Sequence, residues 1–233
     1  MKTEVVGIHQ PNFFPWLGYF KKIADADTFI FLDHTINNIK EGNWQKRVRI
    51  LINGDSKWIT IPLKSSKISV FQPVNLMEID LSNKAFKKNQ KSIGFNYSKC
   101  PFYNDVIPLV NNYFQQSSQY LSERNISFIK EVSRRLGIKT KFVLSSSLSP
   151  KEASTNLLIE LVQKCNGTVY LSGDGADGYM ENDKFNQNGI KLQKLNFTQP
   201  NYHQLNTSEF TSGLSIIDSL MNIGYESTAE LLA

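Results

Sequence analysis

TEVVGIHQPNFFPWLGYFKKIADADTFIFLD, residues 3–33, decides the fold. It opens with a short β-branched run, TEVVGIH, that ends where polar residues begin, the pattern of a buried strand. Pro15 suits the first turn of a helix, and WLGYFKKIADA carries that helix to about Ala26. TFIFLD follows, again β-rich and apolar, and closes on Asp33. Strand, helix and strand in about thirty residues is the βαβ pattern, which implies parallel strands joined by a right-handed crossover.

Outward from this unit, KRVRILINGDSKWITIPL alternates on both sides of Asn53-Gly54. Asn-Gly is the favoured pair of a type I′ turn, so a β-hairpin is expected over about 45–63. VNLMEIDL, 74–81, reads as a further strand, and 83–137 as mostly helical with breaks at Gly94 and Cys100-Pro101. QYLSERNISFIKEVSRRLG has apolar residues at helical spacing, with Gly137 placed to stop the helix. TKFVLSSSLSP then reads as a strand running into a serine loop, and STNLLIELVQKCNG as a helix. TVYLSG and GIKLQKL are strands on either side of the loop DGADGYM, and a polar stretch, FTQPNYHQLNTSEF, leads to a last helix, GLSIIDSLMNIG. The expectation is one α/β domain over 1–233: a mostly parallel sheet with flanking helices, an inserted hairpin and a helical middle segment.

Composition excludes several classes. Apolar residues make up 40% of the 233 and aromatics 12%, enough for a real core, so disorder is not expected. No run of 18 apolar residues exists, so no membrane-spanning helix is expected, and the N-terminus lacks the apolar stretch of a signal peptide. Cys100 and Cys165 stand far apart without a partner motif, which excludes a disulfide framework and fits free thiols in a reducing cytoplasm. The net charge of +5 is spread along the chain, densest at Lys40, Lys46, Arg47 and Arg49. Without a continuous basic stripe, a phosphorylated small substrate or an acidic partner is a better match than nucleic acid.

In an open α/β sheet, ligands gather outside the carboxyl ends of the strands. His9-Gln10, Asp33-His34, Ser145 to Ser147 and Ser172-Gly173-Asp174 all fall at such ends. His9 could serve as a general base, since imidazole titrates near neutrality; the alternative is a ring that only satisfies a nearby carbonyl. Asp33 could orient His9 or His34 or bind a substrate hydroxyl, or simply close a turn. His9, His34 and His203 have no zinc-site spacing, and no metal is expected. The glycine-rich LSGDGADGYM could cradle a phosphate but is neither a Walker loop nor a GxGxxG fingerprint. Ser145 to Ser147 could touch phosphate or cap the following helix. Neither cysteine has the electropositive surroundings of an activated thiolate. In Trp44-Gln45-Lys46-Arg47, a guanidinium can pair with phosphate while tryptophan stacks on a base or sugar; equally, the tryptophan can pack the core with its cations in water.

Together and in order, HQPNFFPWLGYFKKIADADTFIFLD, NWQKRVRI with KWITIPL, TVYLSGDGADGYM, and PNYHQLN with LSIIDSLMNIG resemble the WbqC-like family across nearly the whole chain. The family's tryptophan tract is closer to W-x-N-R; Lys46 stands here in place of the asparagine. The resemblance implies a protein encoded among bacterial surface-polysaccharide genes, with a suggested role in attaching glycine or another acyl group to the amine of an amino sugar. The matching positions are His9, Gln10, Pro11, Trp16, Gly18, Tyr19, Asp33, Trp44, Arg47, Gly173, Tyr202, Gln204, Asp218 and Asn222.

The residues and the resemblance together give an expected transferase forming an amide on a nucleotide-linked amino sugar. His9 would take the amine proton with Asp33 holding it, and Lys46, Arg47 and Arg49 would bind the nucleotide diphosphate. Tyr202 and Gln204 would read the sugar, and Gln10, Tyr19, Trp44, Gly173, Asp174 and His203 complete the substrate contacts. No bound cofactor is expected; the activated acyl donor, a coenzyme A or acyl-carrier-protein thioester, is a co-substrate, and an acidic carrier suits the basic surface. A weaker likeness is to the HIGH-type nucleotidyltransferases, from which the chain departs by carrying Tyr19 where a histidine would follow the glycine. Adenylyl transfer is therefore the second expectation, and a non-catalytic sugar-nucleotide binder the third.

Overall fold

The computed structural model describes residues 3–36, 42–64, 72–173, 181–205 and 207–233. The strand–helix–strand unit forms as the sequence dictates: β1 (Val5–His9), α1 (Leu17–Ala24) and β2 (Thr28–Phe31), with β1 and β2 parallel and His9 opposite Phe31. Three later strands join them: β5 (Lys141–Leu144), β6 (Val169–Ser172) and β7 (Lys191–Lys194). The five form one parallel sheet in the order β5-β2-β1-β6-β7. From β1 the chain first builds toward one edge, then returns to build β6 and β7 on the other side. This reversal puts a topological switch point between the carboxyl ends of β1 and β6.

Alternation along the strands separates two cores. Val6, Ile8 and Ile30 face α5 (Ser154–Lys164) and α6 (Asn182–Gln187), where Leu158, Leu161, Val162 and Phe185 complete a cluster. Phe29 and Phe31 point the other way, into a larger core with Leu17, Tyr19, Phe20 and Ile23 of α1. Gly7 lies under this contact: a Cβ there would stand 3.0 Å from the Phe29 ring and 3.4 Å from Ala26 Cβ. Its missing side chain lets the β1–β2 layer close.

The larger core also takes in α2 (Lys84–Tyr97), α3 (Tyr103–Gln115), α4 (Leu121–Arg135), α7 (Ile216–Glu230) and the hairpin β3 (Arg47–Ile52) and β4 (Asp55–Thr60). Both central hairpin residues have positive φ, Asn53 at 53° and Gly54 at 85°, the type I′ signature the Asn-Gly pair predicts. Gly137 stops α4 with φ 74°, its N–H returning to the Arg134 carbonyl and that of Ile138 to Ser133.

Two expectations are corrected and one is extended. Residues 74–81 do not form a strand: Val74–Leu76 is a 3₁₀ turn, and Glu78 and Ile79 make only isolated bridges, to Tyr120 and Leu63. The alternation arises because Val74, Met77 and Ile79 are buried one by one beneath crossing segments. Gly94 does not break α2, because Ile93 and Tyr97 are buried on either side and outweigh the roughly 1 kcal/mol cost of a helical glycine. The expected stop at Gly224 is present as a break inside α7: the backbone leaves helical geometry there (φ 78°, ψ 178°) against the Phe102 ring, and a second helical stretch, which the sequence reading did not include, continues to Glu230.

Candidate functional site

The carboxyl edge of the sheet is organised by the loop between β1 and α1. His9 ends β1 on the α1 side, its ring edge-on to Tyr19 at 4.9 Å between centroids. His9 Nδ1 lies 3.1 Å from the Gln10 carbonyl. A carbonyl only accepts, so the proton resides on Nδ1 and Nε2 keeps its lone pair. Burial, and then the charge of Lys22, hold the imidazole down to about 4, against the Gln10 carbonyl that favours protonation. The ring is therefore neutral across the physiological range, and its Nε2 is a hydrogen-bond acceptor.

Lys22 is the residue that sequence reading missed. It is 4% exposed, on the α1 face that meets the sheet, and its Nζ donates to the Ile8 carbonyl at 2.7 Å. The ammonium lies 5.9 Å from the centroid of Tyr170 on β6, so it stands beneath the switch point between β1 and β6. Burial pushes it down to about 7. A hint in the sequence existed: Lys22 follows Tyr19 by three positions, on the same apolar side of α1. Tyr19 itself is enclosed; its hydroxyl donates to the Gln10 carbonyl at 3.0 Å, and burial raises its pKa well above the usual phenol value. It braces the turn rather than offering its hydroxyl to a ligand.

Gln10 stitches three segments. Its Nε2 donates to Thr35 Oγ1 (2.8 Å) and the Ile36 carbonyl (3.2 Å), and its Oε1 accepts from Gln45 Nε2. The Ile36 carbonyl fixes which end of Gln10 is the amide nitrogen, and that in turn fixes Gln45. Among the described residues, Gln45 Oε1 is consequently a buried acceptor with no donor, and Asn12 Oδ1 is another. Behind them Asn125 of α4 donates to the Pro11 carbonyl (2.9 Å) and the Gln45 carbonyl (2.8 Å), while Tyr113 holds its oxygen (2.9 Å). Among the described residues, this edge is thus rich in acceptors that want N–H or O–H groups.

Asp33 does not hold His9. Its Oδ1 accepts from Ser145 Oγ (2.8 Å) and the Ser146 N–H (2.9 Å), and its Oδ2 from Ser146 Oγ (2.6 Å). Ser145 Oγ also meets His34 Nδ1 at 2.6 Å, and Ser145 is fully buried. The carboxylate pins the β5 exit to the β2 exit and, through Ser145, orients His34 instead. The serines after β5 take this carboxylate rather than capping α5.

Next to the loop, the hairpin presents aromatic and cationic groups together. The Phe13 N–H donates to the Trp44 carbonyl at 3.0 Å, which sets the hairpin root against the HQPNF turn. Trp44 (37% exposed) and Trp58 (44% exposed) lie 5.3 Å apart, and the Arg47 guanidinium stands over Trp58 at 4.5 Å. Arg49, opposite Trp58 in the ladder, is 5.9 Å from the same ring. Arg47 Nε donates to the Gly42 carbonyl and Arg49 Nη2 to the Ser212 carbonyl at 3.2 Å. Among the described residues, Lys46, Arg47 and Arg49 have no carboxylate partner. Trp58 had no role in the sequence reading, because alternation alone does not say which hairpin face lies outside the core.

The segment after β7 differs in character. Tyr202 and Gln204 turn their polar groups inward onto buried Asp218 of α7: Tyr202 Oη at 2.7 Å and Gln204 Nε2 at 2.9 Å from Oδ1, with Tyr97 Oη at 2.9 Å from Oδ2. Asn222, one turn on, accepts the Leu205 N–H at 2.8 Å. Burial raises Asp218, and the three donors pull the other way. These residues clamp 202–205 to α7, and their hydrogen-bonding groups are not presented to a sugar. His203, between them, is exposed. Gly173 follows β6, where a Cβ would meet nothing within 4 Å among the described residues; Asp174, like Lys40, lies outside them. Burial raises both thiols, Cys100 to about 11, so neither is an activated nucleophile. No group of three His, Cys, Asp or Glu that could hold a metal occurs among the described residues, where no helix is long and apolar enough to cross a membrane.

A five-stranded parallel sheet that reverses beside His9, with an acceptor-rich edge and an adjacent cation–tryptophan face, defines a doubly wound α/β protein with its candidate site at the switch point. The chain belongs to the WbqC-like protein family, whose model matches residues 10–230. It is 30% identical over 223 residues to the uncharacterized protein Rv1507c of Mycobacterium tuberculosis (strain ATCC 25618 / H37Rv), covering 95% of this chain and 94% of that one. No solved structure matches the chain significantly.

Proposed function

We propose that this protein is an N-acyl or aminoacyl transferase that forms an amide on the amine of a nucleotide-linked amino sugar, in the biosynthesis of a bacterial surface glycan. The observation that carries the reading is His9 at the carboxyl end of β1, its Nδ1 proton held on the Gln10 carbonyl so that Nε2 keeps its lone pair, with the buried acceptors Gln45 Oε1 and Asn12 Oδ1 lacking donors among the described residues. An amine supplies the hydrogen that the His9 Nε2 lone pair accepts. Lys46, Arg47 and Arg49, without carboxylate partners among the described residues, stand beside exposed Trp44 and Trp58 and suit a diphosphate and a base.

In the reaction, the amine lone pair attacks the acyl carbonyl of a thioester and forms the C–N bond. The C–S bond breaks as the tetrahedral intermediate collapses. His9 Nε2 takes the ammonium proton and returns it to the departing thiolate, so amide and thiol leave with no net change in the enzyme. No enzyme nucleophile is needed, in keeping with the raised cysteine pKa values. Asp33 contributes through Ser145 and His34 at the neighbouring strand end rather than through His9. Adenylyl transfer finds less support, because Tyr19 is enclosed and its hydroxyl is bound to the Gln10 carbonyl.

The test is amide formation from a panel of nucleotide-linked amino sugars and acyl thioesters, on wild type and H9A. Turnover by wild type, with H9A binding the nucleotide sugar normally but at least about 100-fold slower, supports the assignment. Binding without turnover for every pair leaves a sugar-nucleotide binder, and pyrophosphate release from ATP would turn the reading to adenylation.

A further inference from the structure

The same carboxyl edge carries a second concavity that none of the foregoing uses. Leu195 leaves β7 there, and by Phe197 the chain has reached Trp16 at the start of α1, the rings 6.0 Å apart. A cavity of ≈ 640 Å³ opens beside this crossing, lined by Trp16, Thr198, Gln199, Asn201, Phe210 and Ser212, with Gly213 at its floor. It is walled by two aromatic rings and furnished with carboxamides and hydroxyls, and among the described residues no charged side chain lines it.

Both rings are held before any ligand arrives. The Trp16 indole folds over Gly18, where a Cβ would come within 2.3 Å of it, and the Trp16 backbone bridges to Ser215. Phe210 lies edge-on to Tyr202 at 5.2 Å, and Tyr202 is tied to Asp218. Gln199 Oε1 accepts the Gly213 N–H at 2.9 Å, which fixes the carboxamide and directs its NH₂ away from that contact. Gly213, at φ 68°, makes room for Arg49: a Cβ there would lie 2.8 Å from Nη2. The Arg49 guanidinium thus abuts Ser212 and Gly213 without lining the cavity, and joins that wall to the Trp58 face of the hairpin.

We infer that this cavity is a subsite for a neutral saccharide ring, distinct from the switch point at His9. The C–H face of a pyranose is apolar and lies well on a fixed indole or phenyl ring, while its hydroxyls need the donors and acceptors that Gln199, Asn201, Thr198 and Ser212 offer. A phosphate or carboxylate would find no cation on the lining, and an acyl chain would leave the carboxamides unpaired. Pre-set walls lower the ordering cost of a weak, hydroxyl-rich ligand.

Saturation-transfer NMR with methyl α-glucopyranoside and methyl N-acetyl-β-glucosaminide at millimolar concentration tests the inference, with uridine as control. The variants are N201A, at an exposed position, and F210A, each checked for a native melting transition. Wild type is expected to transfer saturation to the pyranose ring protons, and each variant to bind about tenfold more weakly, a loss of one contact's worth of affinity. H9A and R47A are expected to bind these glycosides as wild type does. The inference is overturned if neither glycoside binds wild type, if binding survives both variants, or if uridine is the ligand that N201A and F210A lose. Failure of the amide assay leaves these outcomes unchanged, since no nucleotide or acyl donor enters this experiment.

Discussion

Two polar regions flank the HQPNFFPW loop, and they are built on opposite terms. Around Asp218, every hydrogen-bonding group has a partner: Tyr97, Tyr202 and Gln204 converge on one buried carboxylate, and Tyr97 also receives the Leu51 N–H. On the hairpin and the β1 edge the reverse holds among the described residues. Three cations lack carboxylates, two tryptophans are exposed, and two buried carbonyl oxygens lack donors. A satisfied buried network holds the chain in one conformation; unpaired groups persist where something else completes them. Sequence likeness marks residues of both regions alike, so membership of the family's motifs does not separate scaffold from site.

The sharpest way to break this contrast is Lys22, which lies at the boundary. Its folded value of about 7 is below the ordinary lysine value of 10.5, so between these the unfolded chain binds more protons and stability rises with pH. Relative to K22M, wild type should gain up to about 5 kcal/mol across that window, measured by urea unfolding from pH 6.5 upward. A flat difference would mean that the ammonium is solvated and not part of a buried edge.

D218A comes next. It removes the acceptor shared by Tyr97, Tyr202 and Gln204, of which Gln204 keeps the Thr211 carbonyl, and a loss of roughly 3–5 kcal/mol is expected, read as a lower urea midpoint at unchanged slope. A loss below about 1 kcal/mol would remove the distinction between clamp and site.

His9 gives a smaller pH signature of the same sign in a lower window. Its folded value of about 4 is below the ordinary 6.5, so its contribution is present above pH 6.5 and is lost as pH falls toward 4. The wild type should lose roughly 3 kcal/mol over that range, and H9N should lack this component. Parallel curves for the two proteins would show that His9 is not desolvated.

The smallest effect on stability is expected at the hairpin face. W58A and R47A should change unfolding free energy by less than about 1 kcal/mol, since both side chains are largely outside the core. Each should nonetheless weaken a nucleoside diphosphate by about tenfold in calorimetric titration. A large stability loss without a binding change would move this face into the scaffold.

Much of the fold was legible because it rests on local rules. The β1–α1–β2 unit follows from two β-branched runs around an amphipathic helix, the hairpin from Asn53-Gly54, and the stop of α4 from Gly137. Residues 74–81 were misread because burial beneath crossing segments produces the same alternation as a strand. In the site, the placement of His9, Asp33 and Ser145 at strand ends was legible, but their pairing was not. Asp33 and Ser145 are 112 positions apart and meet only because β2 and β5 are neighbours.

By itself, then, the sequence determined the strands, the hairpin turn and which polar residues stand at the carboxyl edge, since periodicity and turn chemistry act over a few residues. The tertiary structure alone decided the order β5-β2-β1-β6-β7, and with it the switch point beside His9. It also decided that Asp33 serves His34 through Ser145, that Tyr202 and Gln204 face Asp218, and that Lys22 is buried under His9. Those assignments depend on desolvation and on partners distant in the chain, and neither is encoded in the spacing of neighbours.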